Sequence, residues 1–498
     1  MAKMEYWVQI SALVVYSVII LLIIILLSHL LINQITFFEK EIHLAELGDK
    51  QQQQNGTTKI KIADDDNGEE YDPLAHRNVD HPTSNFDTAI HLLKGNIGTG
   101  ILAMPQAFLN AGLIVGSVGL VFIGIICVHT MHILLNCARS LCARTKTPFL
   151  NFAEVGELSF KLGPPFLRPL SHVARFVIDA FLCLTQIGFC CVYYVFVATN
   201  VQQLVKEQFG YEASVKTYLA ILLLPLIFLN WIRNLKLLSP VMSVANLCMS
   251  VGLGIIFYYI FQDIQPITER DNFHVIFSSW HQVPLYFGTA LYAFEGIGMI
   301  LPLENKMKTP QDFGGCFGVL NISMFIVGLL YIAVGFFGYL KYGDAAVGSV
   351  TLNLPQGEWL AMGVRLSMSV SIFLSYALQF YVPMSIAWPQ LQARIPKNAQ
   401  TAAEYAFRTS LVILTFALAV LIPNLGLVIS FVGAFCTSVL GLILPPIFSL
   451  CTNWGVGYGC GRWMLWKDTA LLIFGLVGCI AGTYVSILGI ISDAPSSH

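Results

Sequence analysis

Charge is what this sequence has least of. Only 11% of its 498 residues are Asp, Glu, Lys or Arg, against 56% hydrophobic, and no soluble domain keeps its surface wet on that balance. The net charge is −2 and no basic cluster breaks the apolar stretches, so nothing points to a nucleic-acid partner. Cysteine is sparse and unpatterned, 12 residues without one CxxC spacing. HExxH, Walker, nucleophile-elbow and kinase motifs are missing, and with them any sign of covalent chemistry. The chain therefore reads as a polytopic membrane protein that is not an enzyme and needs no metal or cofactor.

What is present is a series of apolar runs. Residues 7–32 form an almost uncharged run of the ~20 residues a spanning helix needs, longer than a signal-peptide core and without a small-x-small cleavage pattern. The N-terminal unit 1–38 thus reads as an uncleaved extra helix. Residues 39–85, with Gln51 to Gln54, Asp64 to Asp66 and Glu69–Glu70, form a polar, acidic, disordered tail. Tyr71-Asp72-Pro73-Leu74 there fits a sorting pattern that also arises often by chance.

The membrane unit 86–491 holds eleven core segments, at roughly 87–110, 112–138, 175–200, 217–232, 237–261, 283–303, 315–341, 359–386, 403–422, 425–450 and 469–491. One set of alternate loops holds thirteen Lys and Arg, Arg139, Lys306 and Arg394 among them; the other holds only Lys206, Lys216 and Arg270. Positive loops stay inside, which places the acidic tail in the cytoplasm and the short 492–498 end outside. No sequon falls in an outer loop: Asn55 lies on the inner tail and Asn321 within the seventh segment.

Two segments are interrupted. The first carries His91, Lys94, Asn96 and Thr99 among Gly95, Gly98 and Gly100 in HLLKGNIGTGILAMP; the sixth carries Glu295, Gly296, Gly298 and Pro302 in YAFEGIGMILPLE. Each glycine costs about 1 kcal/mol against alanine inside a helix, so both helices should unwind there. Unwound backbone inside a membrane is tolerated only where it lines a protein-enclosed or watery cavity, and there it can hold a ligand. Two such breaks five helices apart fit an inverted five-plus-five repeat with substrate held between them. Half-helix N-termini suit a carboxylate and C-terminal carbonyls an ammonium or cation, so a zwitterion satisfies both. The alternative for any one glycine pair is close helix packing.

Both strings, with Asn110-Ala111-Gly112 after the first and NKMKTP after the second, closely resemble the proton-coupled amino acid transporters of the amino acid/auxin permease superfamily, insect-type or other animal members, over roughly 80–491. The resemblance implies a LeuT-like bundle and proton symport of small neutral amino acids such as glycine, alanine and proline, at the plasma membrane or a lysosomal or endosomal one. It places the family's proton-coupling histidine on His91, its unwound motif on Gly95 to Gly100 and its sixth-helix glutamate on Glu295. Two features depart from it: the run at 7–32, and the external disulfide of mammalian members, for which the outer loops offer no cysteine.

Ionisable residues inside the membrane are costly enough to be functional suspects: His91, Lys94, Asp179, Glu295 and Arg365. His91 titrates near neutrality, and Lys94 three residues on favours loss of its proton. Its alternative is an interfacial side chain at the cytoplasmic rim, and that of Glu295 is to brace loose backbone. Asp179 and Arg365 have the signs for a buried pair between the third and eighth segments. His129, His132, Tyr193 and Tyr194 read as interfacial or packing residues, while Tyr292 and Phe294 gain interest from the adjoining break. The expected proton-coupling residues are therefore His91 and Glu295; the expected substrate contacts are Gly95, Asn96, Ile97, Gly98, Thr99, Gly100, Tyr292, Phe294 and Gly296. Two rival functions remain. Sodium coupling would use the eighth-segment hydroxyls Ser367, Ser369, Ser371 and Ser375, although membrane serines commonly bond their own backbone. An amino-acid sensor would instead report through a signalling partner on the cytoplasmic tail.

Overall fold

The computed structural model describes residues 82–233, 235–262 and 274–493, with Pro73, Leu74, Arg77 and Val79. The run at 7–32, most of the acidic tail, Tyr71 and Asp72 of the tyrosine pattern, Asn55 and the last five residues lie outside them. The described residues are helical, and their one β contact is an isolated parallel bridge between Thr83 and Met307.

The first segment is three helices: α1 (Asn85–Asn96), α2 (Thr99–Leu102) and α3 (Met104–Ala111). A capping box opens α1, Ser84 Oγ accepting from Asp87 N while the Asp87 carboxylate accepts from Ser84 N, and this fixes the entry point. At Ile97 the backbone turns extended (φ −87°, ψ 96°), and the helix restarts after Gly98. Two long helices follow, α4 (Leu113–Thr145) and α6 (Ser171–Phe209), separated by the short α5 (Phe152–Leu162). No element was expected at α5, yet Asn151 and Glu154 form a second capping box there. Next come α7 (Val215–Asn230) and α8 (Leu235–Phe261).

The sixth segment is split into α9 (Val283–Ala293) and α10 (Ile297–Lys306), with residues 294–296 out of the helix. Beyond it lie α11 (Val319–Tyr342), α12 (Trp359–Gln392) and α13 (Gln400–Leu421). The tenth segment is again composite: α14 (Leu425–Val432), a π-turn over Gly433–Ile443, and α15 (Leu444–Thr452); α16 (Trp463–Asp493) closes the chain. Among the described residues nine helical stretches are long and apolar enough to cross a membrane, counting 283–306 and 425–452 as one each. The other two expected segments, the interrupted 85–111 and the 16-residue α7, fall short of that length as continuous helices.

Glycine lets the central elements touch. A Cβ on Gly100 would lie 2.7 Å from Ala293 Cα, and one on Gly288 would lie 2.2 Å from Ser430 O, so the broken first segment meets α9, and α9 meets α14, backbone to backbone. The charges largely line the ends of this core. The Arg365 side chain on α12, with none of it exposed, grips both carboxylate oxygens of Glu207 at 2.7 and 2.5 Å and donates to the carbonyls of Thr351 and Leu354. This corrects the pairing with Asp179: α6 continues to Phe209 and brings Glu207 to Arg365, while Asp179 lies near Arg175.

Candidate functional site

The two breaks face each other. Thr99 Oγ1, at the restart of the first segment, lies 2.8 Å from Tyr292 Oη, two residues before the interruption in the sixth. Asn96 and Ala293 end the preceding half-helices, and their carbonyls meet at Tyr331 of α11, whose hydroxyl lies 2.5 and 2.6 Å from them. A helix end leaves carbonyls unsatisfied, and here one side chain from outside both helices answers for two ends. The Asn96 amide donates to Leu92 O, but its Oδ1, buried, has no partner. It lies against Gly296, where a Cβ would sit 3.3 Å away.

Aromatic rings close one side of this junction. Phe189 of α6 lies 4.5 Å from the Tyr292 ring, and Phe294 meets Tyr331 edge-on at 5.1 Å. Tyr193 is the side-chain neighbour of Gly98, 3.6 Å from where a Cβ would be, and its hydroxyl accepts from Gln379 of α12 at 3.2 Å.

The expected contacts thus divide into groups. Asn96, Gly98, Thr99, Gly100, Tyr292, Phe294 and Gly296 converge; Ile97 is half-buried and gives its N–H to Leu93 O. Gly95 is exposed and its neighbour is the flexible end of Met299. Glu295 adjoins the break but reaches instead towards α4 and the π-turn, where with Cys127, Thr130 and Thr437 it borders a small cavity with room for about one water molecule. His91 sits on α1 about 8 Å along the axis before the break, among the charges of Asp87 and Lys94.

Tyr331 and Thr437 were missed, since a lone polar residue in an apolar helix carries no signal of what it meets. The serine row of α12 is spent on backbone: Ser367, Ser369 and Ser375 bond carbonyls of their own helix, and Ser371 bonds Ala245 O across to α8. His132, which read as interfacial, pairs with Asn321 at 2.7 Å.

A family model described as transmembrane amino acid transporter protein matches residues 81–488. The chain is 42% identical, over 85% of its length and 89% of the relative's, to the fruit fly Drosophila melanogaster "Proton-coupled amino acid transporter-like protein pathetic". The chain belongs to the transmembrane amino acid transporter family. It is therefore an amino acid transporter rather than an enzyme, in the amino acid/auxin permease group that its two broken segments resemble. The transporter is also 29% identical to "Amino acid transporter AVT3C" of Arabidopsis thaliana, over 82% of its own length and 92% of that protein's. Among solved structures it is similar to inward-facing Mhp1 (TM-score 0.46, 14% identity, 84% of this chain and 91% of that one) and to MhsT with L-phenylalanine (0.40, 11%, 83% and 99%).

Proposed function

We propose that this transporter is a proton-coupled symporter of small neutral amino acids, of the glycine, alanine and proline class, working by alternating access in a LeuT-like five-plus-five bundle. The observation that carries the reading is the junction itself: two interrupted helices, five segments apart, meet at Thr99–Tyr292 and share Tyr331 between their carbonyl ends. Helices α2 and α10 begin beside it without a side-chain cap, so their N–H groups face the space a substrate carboxylate would take. The ammonium lies by the Asn96 and Ala293 carbonyls and Asn96 Oδ1. Glycine-mediated contact leaves room for a small side chain only, bounded by Tyr292 and Phe294. His91 and Glu295 carry the proton; a fly relative named as proton-coupled supports that choice of ion, and the engaged serines of α12 offer little to sodium. The membrane is the plasma membrane or a lysosomal or endosomal one.

The test is uptake of labelled alanine or proline, with the accompanying current, as outside pH steps from about 7.5 to about 5.5 without sodium, so that the proton gradient is the only ion gradient varied. Inward current that needs substrate, grows with acidity and collapses in His91→Ala is the expected result. Substrate binding without uptake at any pH would move the protein to the sensor class.

A further inference from the structure

Among the described residues, the break in the sixth segment has a polar neighbour that substrate does not need. Glu295 Oε2 and Thr437 Oγ1 are both buried without a hydrogen-bond partner, and both line the same cavity, closed on its other sides by Cys127, Phe294 and Ile297. Thr437 is 3% exposed, and its hydroxyl and the Glu295 carboxyl border the same small cavity. It arrives there by an unusual route. The tenth segment is wound as a π-turn from Gly433 to Ile443, closed by a Leu444 N–H donating to Val439 O five residues back. A π-helix spaces its side chains around the axis differently from an α-helix, so Thr437, the fifth of its eleven residues, faces a direction an α-helix would not give it, and such turns gather at functional sites. Its start is pinned, because a Cβ on Gly433 would lie 1.9 Å from Gly288 O. The face shown to Glu295 is therefore set by the turn.

We propose that Thr437 is a positioning residue for proton transfer at Glu295, and that the cavity between them is a site for water and hydronium, distinct from the Thr99–Tyr292 junction. In loading, an O–H bond forms at Glu295 Oε2, one O–H bond of hydronium breaks, and water stays behind; release runs in reverse. The Thr437 hydroxyl, without a partner in this structure, turns to donate to the carboxylate once it is ionised and so favours release. Among the described residues the titratable groups beside Glu295 are the thiols of Cys127 on α4 and Cys436 on the π-turn; the charges on the packed elements are His91 and Lys94 of α1 and Glu304 and Lys306 of α10. The hydroxyl is thus the tuning group. This rests on the proton-coupled reading above.

The experiment compares the pH profiles of alanine uptake for wild type, Thr437→Val, Thr437→Ser and Glu295→Gln, with the pH profile of alanine binding to detergent-purified protein measured in parallel. Binding needs no complete cycle, so it reads out a Thr437→Val form that has stopped transporting. The expected result is a Thr437→Val profile displaced to alkaline pH by half a unit or more, a Thr437→Ser profile on the wild-type curve, and a flat Glu295→Gln profile. A flat Glu295→Gln profile with Thr437→Val on the wild-type curve overturns the role of Thr437 and leaves proton coupling standing. A Glu295→Gln profile like wild type overturns Glu295 as the proton carrier and this site with it.

Discussion

Tyr331 has one hydroxyl proton and two carbonyls within reach of it. Replacing it with phenylalanine leaves both half-helix ends without that donor, and a buried acceptor that loses its partner costs about 1–3 kcal/mol. Tyr331→Phe is therefore expected to melt several degrees lower in detergent and to bind alanine roughly tenfold more weakly, the equivalent of about 1.4 kcal/mol. A variant with unchanged melting and affinity would remove Tyr331 from the site. Glu207 offers a second test: Glu207→Gln strands the Arg365 guanidinium without its counter-charge, which costs about 3–5 kcal/mol when a buried pair is broken. Poor yield or a large drop in melting temperature is the expected outcome. Neither residue was visible in the sequence. Tyr331 sits in an apolar helix like many tyrosines, and Glu207 lies past the point where hydropathy ends the third segment. Contact across a sequence separation of 158 residues leaves no local trace.

Among elements, the breaks were the most legible, because Gly98 and Gly296 cap half-helices where the glycine clusters predict unwinding. The cost of glycine in a helix is local, so the sequence displays it. The π-turn was invisible: its cause is the close approach of Gly433 to Gly288, a tertiary event. Helix α5 stood between, since its Asn-x-x-Glu box was there to be read but lies in a stretch too short to span a membrane. The glycines themselves separate packing from opening. Gly100→Ala pushes a methyl group to 2.7 Å from Ala293 Cα and is expected to destabilise by about 1–3 kcal/mol, whereas Gly98→Ala meets only the Tyr193 hydroxyl at 3.6 Å and keeps the fold. Melting curves of the two variants, measured side by side, decide it; equal stability would mean that the two segments are not in backbone contact.

At the scale of the whole molecule, the stretch before α1 is tied to the end of the sixth segment. Thr83 exchanges backbone hydrogen bonds with Lys306 and Lys308 at 2.8 and 2.9 Å, and Glu304, 1% exposed, joins Arg77 at 2.6 Å and Arg139 of α4 at 3.1 Å. Asn85 donates to Asp312 at 2.8 Å, and with Thr309 holds that carboxyl below its usual range. A lowered carboxylate supports the fold above its unfolded pKa and loses that support only as pH falls through the lower folded value, so this exposed link holds at neutral pH. Glu304→Gln weakens both arginine contacts. Cys142, buried beside Arg77 and Glu304, should then react faster with an impermeant maleimide in inside-out vesicles, a gain absent from Cys142→Ser. An unchanged rate would mean that these pairs do not hold the inner end shut. The tie at Thr83 also makes the N-terminal stretch and the sixth segment one thermodynamic unit. Any molecule that binds that stretch more tightly when the tie is open itself favours, by reciprocity, the open form. If substrate at the junction opens the tie, its occupancy is readable at that end of the molecule as a change in the affinity of a ligand bound to the N-terminal stretch.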